Sequence, residues 1–378
     1  MKIVYVTTGL TTGGAEIMLY QMLAKIDRTR FSPIVVSLMD RGTLGHRIEA
    51  LGVPVYTLGM KARGLPKLDA ISTLVNIVRE IKPDLIQGWM YHGNLVAQLI
   101  GIFYSRKIPV LWDIQCSLYS LALEKKITAI IIKLCAYISR FSFKIIYVSK
   151  VSQSQHEALG YARDKSCVIP NGIDVTVFSP SSEARLTIRQ ELGLPETSFL
   201  IGLICRYHPM KDHANFIKAA ALLLKSKPDI HFIMAGNKVD PQNQSLAQLI
   251  QELGIANQIH LLGERKDMPR LSAALDIACS ASAYGEGCPL VICEAMSAGV
   301  PCAVTEVGDS GWIVGKTGWV VPPQNPEALA NAWQESIALG SEGRETLGKA
   351  ARSRIIEYFS LDSVVADYER LYETAMAQ

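Results

Sequence analysis

Short apolar runs alternate with stretches of helical period through the first half of the chain. Residues 1–8 predict a buried strand, and similar apolar runs follow at 31–40, 53–59 and 83–90. The segments between them repeat their apolar positions every three or four residues, which is typical of helices. Strands that alternate with helices indicate a parallel sheet covered on both faces. The first half therefore predicts an α/β domain.

The same alternation begins again after "IPNGID" at residues 169–174. The length of 378 residues also favours two domains. A last helix is predicted over about 360–376, beyond the second set of strands. The predicted organisation is an N-terminal Rossmann-like domain at 1–171, a second at 172–357 and a C-terminal helical segment at 358–378.

Charge is distributed unevenly between the two halves. Residues 1–170 carry 21 Lys and Arg against 11 Asp and Glu, whereas residues 171–378 carry 17 against 24. A basic half is typical of a protein surface that meets an anionic partner. We expect no nucleic-acid partner, so the expected anionic partners are phosphate groups and membrane surfaces.

The stretch "EKKITAIIIKLCAYISRFSFK" at 124–144 predicts a basic amphipathic helix. Lys126, Lys133 and Arg140 recur every seven residues and would form one stripe. Two interpretations remain open. Either the helix packs into the core with a solvated stripe, or it lies against an anionic membrane surface.

The apolar runs are too short to span a bilayer, because Lys133 interrupts the best candidate. The first residues are typical of a strand and not of a secretory leader. The eight cysteines stand singly, without the C-x-x-C spacing of zinc sites. We expect a cytoplasmic protein, with peripheral contact at the inner face of the cell membrane as an open alternative.

Two acids flank the start of a predicted helix in "EGCPLVICE" at 286–294. Pro289 suits the first turn of that helix. A helix N-terminus presents free N–H groups and attracts phosphate. Glu286 and Glu294 could accept hydrogen bonds from the hydroxyls of a sugar or ribose bound there. The alternative is that Glu286 caps the helix and Glu294 faces solvent.

Acids beside a phosphate require a compensating positive charge. The chain has no D-x-D-like pair of the kind that holds a divalent metal. Arg206 and Lys211 instead follow the first strand of the second half, in "CRYHPMKDH". Their guanidinium and ammonium groups suit a diphosphate. The sequence thus predicts a metal-free site without a cofactor, with an ordinary exposed loop as the alternative.

Two strand ends of the first half also carry candidate residues. Gly13 and Gly14 would allow close backbone approach at the start of a helix. Their spacing is neither G-x-G-x-x-G nor a P-loop, so a dinucleotide site is only weakly indicated, although Asp40 after the second strand would suit one. A tight structural turn is the alternative. His92 follows a strand in a predicted loop that contains Gly and Asn, which suits a polar site, although a lone histidine is usually structural.

Together these motifs resemble the retaining GT-B glycosyltransferases of family four, also called glycosyl transferases group 1. The shared features are G-G-A-E after the first strand, a His after "GWMY", "IPNGID", R-x4-KDH, and E-x7-E with "EAMSAGVP". The layout matches over nearly the whole chain.

The resemblance implies two Rossmann-like domains that face a central cleft, with the C-terminal helix crossing back to the first domain. It implies a UDP- or GDP-sugar donor bound mainly by the second domain. The first domain would bind a saccharide or lipid-linked saccharide acceptor. Many relatives build bacterial surface polysaccharide or lipopolysaccharide, so that is the expected setting.

The resemblance also implies roles for four charged side chains. Arg206 and Lys211 would hold the diphosphate. Glu294 would bind the ribose hydroxyls, and Glu286 would hold hydroxyls of the donor sugar.

Further positions are implied where backbone or a histidine approaches the donor. His92 would lie near the reacting sugar. The backbone positions implied are Gly13, Gly14, Leu290 and Val291 for the phosphates and Glu264 and Arg265 for the base.

The donor sugar is not named, because two positions depart from the family pattern. Relatives often have an aromatic where Cys288 stands and Asn where Leu290 stands. A nucleotide-sugar 2-epimerase on the same fold is the main alternative, since it needs a donor site but no acceptor. A non-catalytic nucleotide-sugar binder would not need the whole set of polar residues. An NAD-dependent oxidoreductase lacks its glycine pattern.

Overall fold

A computed structural model of the chain describes residues 1–60, 68–103, 108–118 and 120–377. These residues form two compact units. Unit 1 comprises Met1–Gly172 together with Leu361–Gln378, and unit 2 comprises Ile173–Ser360. The sequence placed the first boundary after residue 171 and the second after residue 357.

Unit 1 is built on a parallel sheet whose seven described strands run in the order β3-β2-β1-β4-β5-β6-β7. The strands are β1 (Lys2–Thr7), β2 (Ser32–Ser37), β3 (Val55–Thr57), β4 (Leu85–Trp89), β5 (Val110–Ile114), β6 (Lys144–Tyr147) and β7 (Ser166–Val168). The helices are α1 (Gly14–Lys25), α2 (Gly45–Ala50), α3 (Leu68–Ile81), α4 (Met90–Phe103), α5 (Lys126–Ile138), α6 (Lys150–Ala158) and the last helix of the chain, α15 (Leu361–Met376).

Unit 2 repeats the arrangement with six described strands in the order β10-β9-β8-β11-β12-β13. The strands are β8 (Phe199–Ile204), β9 (Ile230–Ala235), β10 (Ile259–Leu261), β11 (Ile277–Ser280), β12 (Cys302–Thr305) and β13 (Gly318–Val321). The helices are α7 (Ser182–Glu191), α8 (His213–Leu224), α9 (Gln244–Glu252), α10 (Met268–Ala273), α11 (Leu290–Ser297), α12 (Ser310–Val314), α13 (Pro326–Ala338) and α14 (Gly340–Tyr358).

Both sheets are buried on their two faces, as expected for parallel strands covered by helices. Five of the six residues of β1 are buried, and its side chains point alternately into two apolar clusters. Unit 2 likewise has one apolar cluster on each face of its sheet. The predicted α/β class, with two Rossmann-like units, is confirmed.

Helix α15 belongs to the core of unit 1, although it ends the chain. Its Tyr368 and Tyr372 are buried among residues of β1, β4 and α1. The Tyr372 hydroxyl accepts a hydrogen bond from Tyr5 at 3.0 Å and donates to the Gln87 side chain at 2.6 Å. The Tyr368 hydroxyl donates to the Asp113 carboxyl at 2.5 Å. These bonds satisfy polar groups that the apolar core would otherwise leave unpaired.

Two predictions about local structure are wrong. The helix predicted over 124–144 is α5, and it ends at Ile138 before a short 3₁₀ turn at Ser139–Phe141. The Ser139 and Ser142 hydroxyls each donate to a backbone carbonyl three residues back, which competes with continuation of the helix. His92 lies in the first turn of α4 and not in a loop, because β4 leads directly into that helix.

The sequence also missed several elements, among them β7, β13 and the helices α12 to α14. No helix among the described residues is long and apolar enough to cross a bilayer.

Asp113 should make the stability of unit 1 depend on pH. Burial raises the pKa of its carboxyl to about 7 in the folded chain. The raised value means that stability is fully present below the unfolded pKa, near 4, and is lost as pH rises through 7. Between pH 4 and pH 7, we expect the free energy of unfolding of Asp113→Asn to rise relative to that of the wild type by roughly 1.4 kcal/mol per pH unit.

Amide hydrogen exchange of unit 1 peptides between pH 4 and pH 8, corrected for intrinsic rates, would measure this difference. Asp164→Asn is the control, because Asp164 is exposed. Parallel pH profiles for wild type and Asp113→Asn would contradict the prediction.

Candidate active site

The strand order of unit 2 reverses between β8 and β11. Strands β9 and β10 extend the sheet on one side of this pair, and β12 and β13 extend it on the other. All the pairings are parallel, so the carboxyl ends lie along one edge. Open α/β sheets bind ligands at such a reversal. The connections that follow β8 and β11 carry Lys211 and Glu286.

Lys211 and Glu286 form an ion pair at this reversal. The Lys211 ammonium donates to the Glu286 carboxylate at 2.5 Å, and the Ser282 hydroxyl donates to the same oxygen at 2.5 Å. The two charged side chains are only 17% and 7% exposed. The sequence had predicted both residues for the site but not that they pair. It had missed Ser282, whose only sequence cue is its place just after β11.

Hydrogen bonds join the loops around this pair to one another. The Ala283 amide donates to the Met210 carbonyl at 2.8 Å, which ties the loop after β11 to the loop after β8. The Thr305 hydroxyl at the end of β12 donates to the Ser282 carbonyl at 2.7 Å. At Gly308, with φ of +61°, a Cβ would lie 2.4 Å from the Glu286 carbonyl oxygen. Three strand ends therefore fix the position of Glu286.

Helix α11 begins beside Glu286, at Leu290. Within the described chain, no side chain caps this helix, and Glu286 bonds to Lys211 and Ser282 instead. The alternative that Glu286 is a helix cap is therefore wrong. The amides of Leu290 and Val291 lie in the first turn, where an α-helix leaves N–H groups without intrahelical partners.

Glu294 lies one turn further along α11 and does not face open solvent. The residue is half-buried, and burial raises the pKa of its carboxyl to about 7. The alternative of a solvated Glu294 is therefore also wrong. A desolvated carboxyl in a helix that starts at the strand edge is suited to bind a polar ligand group.

The other predicted residues of unit 2 differ in whether their side chains already bond to other residues. Arg206 follows β8 and is exposed, and no described residue forms a hydrogen bond or ion pair with its guanidinium. Arg265 is held by the carboxylates of Glu191 and Asp267. The Glu264 carboxylate accepts from the Asn237 amide at 3.0 Å. The Arg265 side chain is thus already engaged within the protein.

In unit 1 the strand order reverses between β1 and β4, and the predicted residues lie at these two strand ends. Gly13 precedes α1 in extended conformation, and Gly14 is the first residue of that helix. His92 lies in the first turn of α4, and burial lowers the pKa of its imidazole. The neutral ring can donate from one nitrogen and accept at the other.

The turn from β4 into α4 is unusually tight. Met90 directly follows β4 and has φ of +64°, a conformation that is strained for a residue with a side chain. A Cβ at Gly93 would lie 2.2 Å from the Val6 carbonyl oxygen. Both features place the start of α4, with His92, against the end of β1.

Among the residues described, no group of three or more His, Cys, Asp or Glu side chains is arranged to hold a metal ion. Most of the predicted residues lie in two groups, each at the reversal of its own sheet, whereas Glu264 and Arg265 follow β10 at the sheet edge.

Comparison with known proteins gives two family matches. Residues 184–354 match the family described as "Glycosyl transferases group 1". Residues 12–177 match the family described as "Glycosyltransferase Family 4". The two matches lie one after the other and span most of both units.

The two units thus match two glycosyltransferase families, one after the other along the chain.

Relatives of the chain include a protein named "Putative glycosyltransferase EpsF" from Bacillus subtilis, 25% identical over 89% of this chain and 87% of the relative. A second is the "UDP-Gal:alpha-D-GlcNAc-diphosphoundecaprenol alpha-1,3-galactosyltransferase" of Escherichia coli. It is 27% identical over 55% of this chain and 54% of its own length.

Among solved structures, the chain resembles HepE from Anabaena, crystallised in complex with UDP. The TM-score is 0.84 at 24% identity, covering 99% of this chain and all of HepE. This likeness identifies the fold as GT-B.

Breaking the Lys211–Glu286 pair should destabilise unit 2. Lys211→Met leaves a buried carboxylate without its cation, which costs roughly 3 kcal/mol in comparable pairs. Lys211→Met combined with Glu286→Gln removes both charges and should recover at least half of that loss. Urea unfolding of both variants, followed by tryptophan fluorescence, would measure the free energy of unfolding. Equal stability of Lys211→Met and wild type would contradict the prediction.

Proposed function

We propose that this protein is a retaining glycosyltransferase of family four that transfers a sugar from a nucleotide-sugar donor, a UDP-sugar in the first instance, to a saccharide or lipid-linked saccharide. The observation that carries the proposal is the Lys211–Glu286 pair at the reversal of the unit 2 sheet. It combines a cation for the diphosphate with a carboxylate for sugar hydroxyls in one place.

The names of the relatives support the choice of donor and acceptor. The Escherichia coli relative is named for UDP-Gal and for a diphosphoundecaprenol-linked acceptor. HepE was crystallised with UDP and also with UDP-glucose. A relative from Rhizobium meliloti is named for lipopolysaccharide core biosynthesis, which supports a setting in surface polysaccharide synthesis. Neither these names nor the family matches favour the epimerase.

The diphosphate of the donor would be held by three groups of unit 2. Arg206 is exposed and without a partner among the described residues, so its guanidinium is available for bidentate contact. Lys211 has three N–H donors and uses one for Glu286. The amides of Leu290 and Val291 at the start of α11 would complete the site.

Two carboxylates would bind hydroxyls of the same donor. Glu294 would accept from the ribose, and Glu286 would accept from the donor sugar. Among the described residues, the Lys211 and Ser282 side chains both bond to Glu286 through Oε1, so Oε2 can accept from a hydroxyl. Glu286 then acts as a positioning group and not as a nucleophile. A covalent glycosyl adduct trapped on Glu286 would contradict this role.

The base would be bound by the backbone of unit 2, and unit 1 would bind the acceptor and approach the donor from its own side. Because the Arg265 side chain is engaged by Glu191 and Asp267, the backbone at Glu264 and Arg265 is the part left to contact the base. In unit 1, Gly13 and Gly14 would approach the diphosphate, and His92 would lie near the reacting sugar.

The transfer itself breaks the bond between sugar C1 and the phosphate oxygen. Negative charge grows on the departing nucleoside diphosphate while the sugar becomes oxocarbenium-like. Arg206 and Lys211 would stabilise that charge, which is the principal contribution of the protein. The acceptor oxygen bonds to C1 on the face that the phosphate leaves, and the leaving phosphate oxygen takes the acceptor proton. Charge neutralisation in this scheme comes from fixed side chains, so no metal is required.

A panel of UDP- and GDP-sugars tests the function directly. The true donor should raise the melting temperature, because a ligand that binds only the folded state stabilises it by RT ln(1 + [L]/Kd). The same donor should release its nucleoside diphosphate only when an acceptor is present. An isomerised nucleotide sugar formed from donor alone would identify the epimerase instead, and binding without turnover on any acceptor would favour a non-catalytic binder.

Arg206 should contribute to turnover without contributing to stability. Arg206→Ala removes an exposed cation that has no described partner, so the melting temperature should not change. Loss of one charge-stabilising donor lowers kcat by about a hundredfold. Lys211→Ala should lower kcat similarly but also lower stability. The control is Lys225→Ala, an exposed cation at the other end of α8. Wild-type kcat in Arg206→Ala would remove the residue from the mechanism.

A further inference from the structure

Helix α5 in unit 1 carries two apolar faces, and only one of them is buried. The buried face comprises Ile131, Ile132, Cys135 and Ala136. The second face is exposed, and its residues follow a spacing of three and four along the helix and the 3₁₀ turn beyond it. The exposed fractions are Ile127 39%, Ile130 65%, Leu134 44%, Tyr137 68% and Phe141 58%. We refer to these five residues as the α5 apolar face.

Exposure of five large apolar side chains in a continuous row is unfavourable in water. Apolar patches of this kind mark a surface that meets a partner or a membrane. The row is also too short and too interrupted to insert across a bilayer, since no described helix qualifies as a membrane span. A helix with this surface can lie in the plane of a membrane interface.

The surroundings of the α5 apolar face are basic. Between Glu124 and Glu157 the chain has no acidic residue. The cations in that interval are Lys125, Lys126, Lys133, Arg140, Lys144 and Lys150. Of these, Lys126 and Lys133 are exposed on α5 itself. Exposed cations beside an apolar row match the phosphate layer that borders the hydrocarbon of an anionic membrane.

One of these cations is held against the aromatic end of the face. The Arg140 guanidinium lies 4.2 Å from the centre of the Tyr137 ring and 5.3 Å from that of Phe141. Cation–π contact keeps the charge at the edge of the apolar row, where lipid phosphates would meet it. Tyrosine is itself enriched at membrane interfaces, because its ring is apolar and its hydroxyl is polar.

We propose that the α5 apolar face is a membrane-docking surface, which inserts into the interface of an anionic bilayer while Lys126, Lys133 and Arg140 bind lipid phosphate. A second copy of this chain is the less favoured occupant. A two-fold interface would bring the same row of cations together from both partners with no acidic residue between them.

Docking through α5 also bears on acceptor binding by unit 1. Helix α5 packs against α4, whose first turn carries His92. Membrane contact would therefore bring the acceptor-side unit to the surface where lipid-linked saccharides lie. Only this last step rests on the proposed function.

Vesicle flotation tests the docking without any substrate, so its failure and failure of the glycosyltransferase proposal are separate results. The probes are vesicles of phosphatidylcholine alone and of phosphatidylcholine with phosphatidylglycerol at equal amounts. Wild-type protein should float with the anionic vesicles only. Replacement of Lys126, Lys133 and Arg140 by Gln should weaken binding by about a hundredfold, at roughly fivefold for each cation.

A second variant tests the apolar contribution. Ile130→Ser with Leu134→Ser and Tyr137→Ser should weaken binding by about two orders of magnitude. The matched control is Ile356→Ser with Leu339→Ser and Tyr358→Ser, which removes the same three residue types, each 45–49% exposed, from unit 2. The control should float like the wild type, and melting temperatures of both variants should stay within a few degrees of the wild type.

Three results would overturn the proposal. The first is wild-type protein that stays unbound to both kinds of vesicle, and the second is a variant with Ile130, Leu134 and Tyr137 replaced by Ser that floats as well as the control. Alternatively, light scattering could show a wild-type dimer that becomes a monomer in the α5 Ser variant, which would assign the face to a second copy of the chain.

Discussion

Parallel strands require each connection to return over a face of the sheet, so every carboxyl end lies along one edge. Where the strand order reverses, neighbouring connections leave in opposite directions and expose that edge. In unit 2 this happens between β8 and β11, and the Lys211–Glu286 pair lies there. The pair joins the loop after β8 to the loop after β11, and the Ser282 hydroxyl donates to the same carboxylate oxygen of Glu286.

The two cations of this edge have different electrostatic states in the free protein. Lys211 is neutralised by Glu286, whereas Arg206 has no described partner. An arriving diphosphate would therefore meet one uncommitted charge and one that must be shared with a carboxylate. A buried ion pair adds little net stability, but the loss of either partner is costly. Such a pair holds the Lys211 ammonium in one place and prevents a buried, unpaired charge on Glu286.

The core of unit 1 is stabilised differently, by a helix from the other end of the chain. Tyr368 and Tyr372 of α15 bond to Asp113, Gln87 and Tyr5 inside an apolar core. The hydroxyls supply further partners to polar residues of the sheet, so the core of unit 1 is completed only when the chain has returned from unit 2. The opposite side of the unit carries no comparable cover over the exposed row on α5, within the described residues.

The sequence by itself determined the α/β class, most strands, the start and end of α11, and the placement of candidate residues at strand ends, because each depends on local periodicity or on Pro and Gly nearby. Only tertiary structure decided that Lys211 meets Glu286, 75 residues away, since that contact depends on strand order. The same is true of α5. Its sequence is apolar around most of the helix, and periodicity cannot tell which apolar face the sheet will cover, because that depends on how the helix packs.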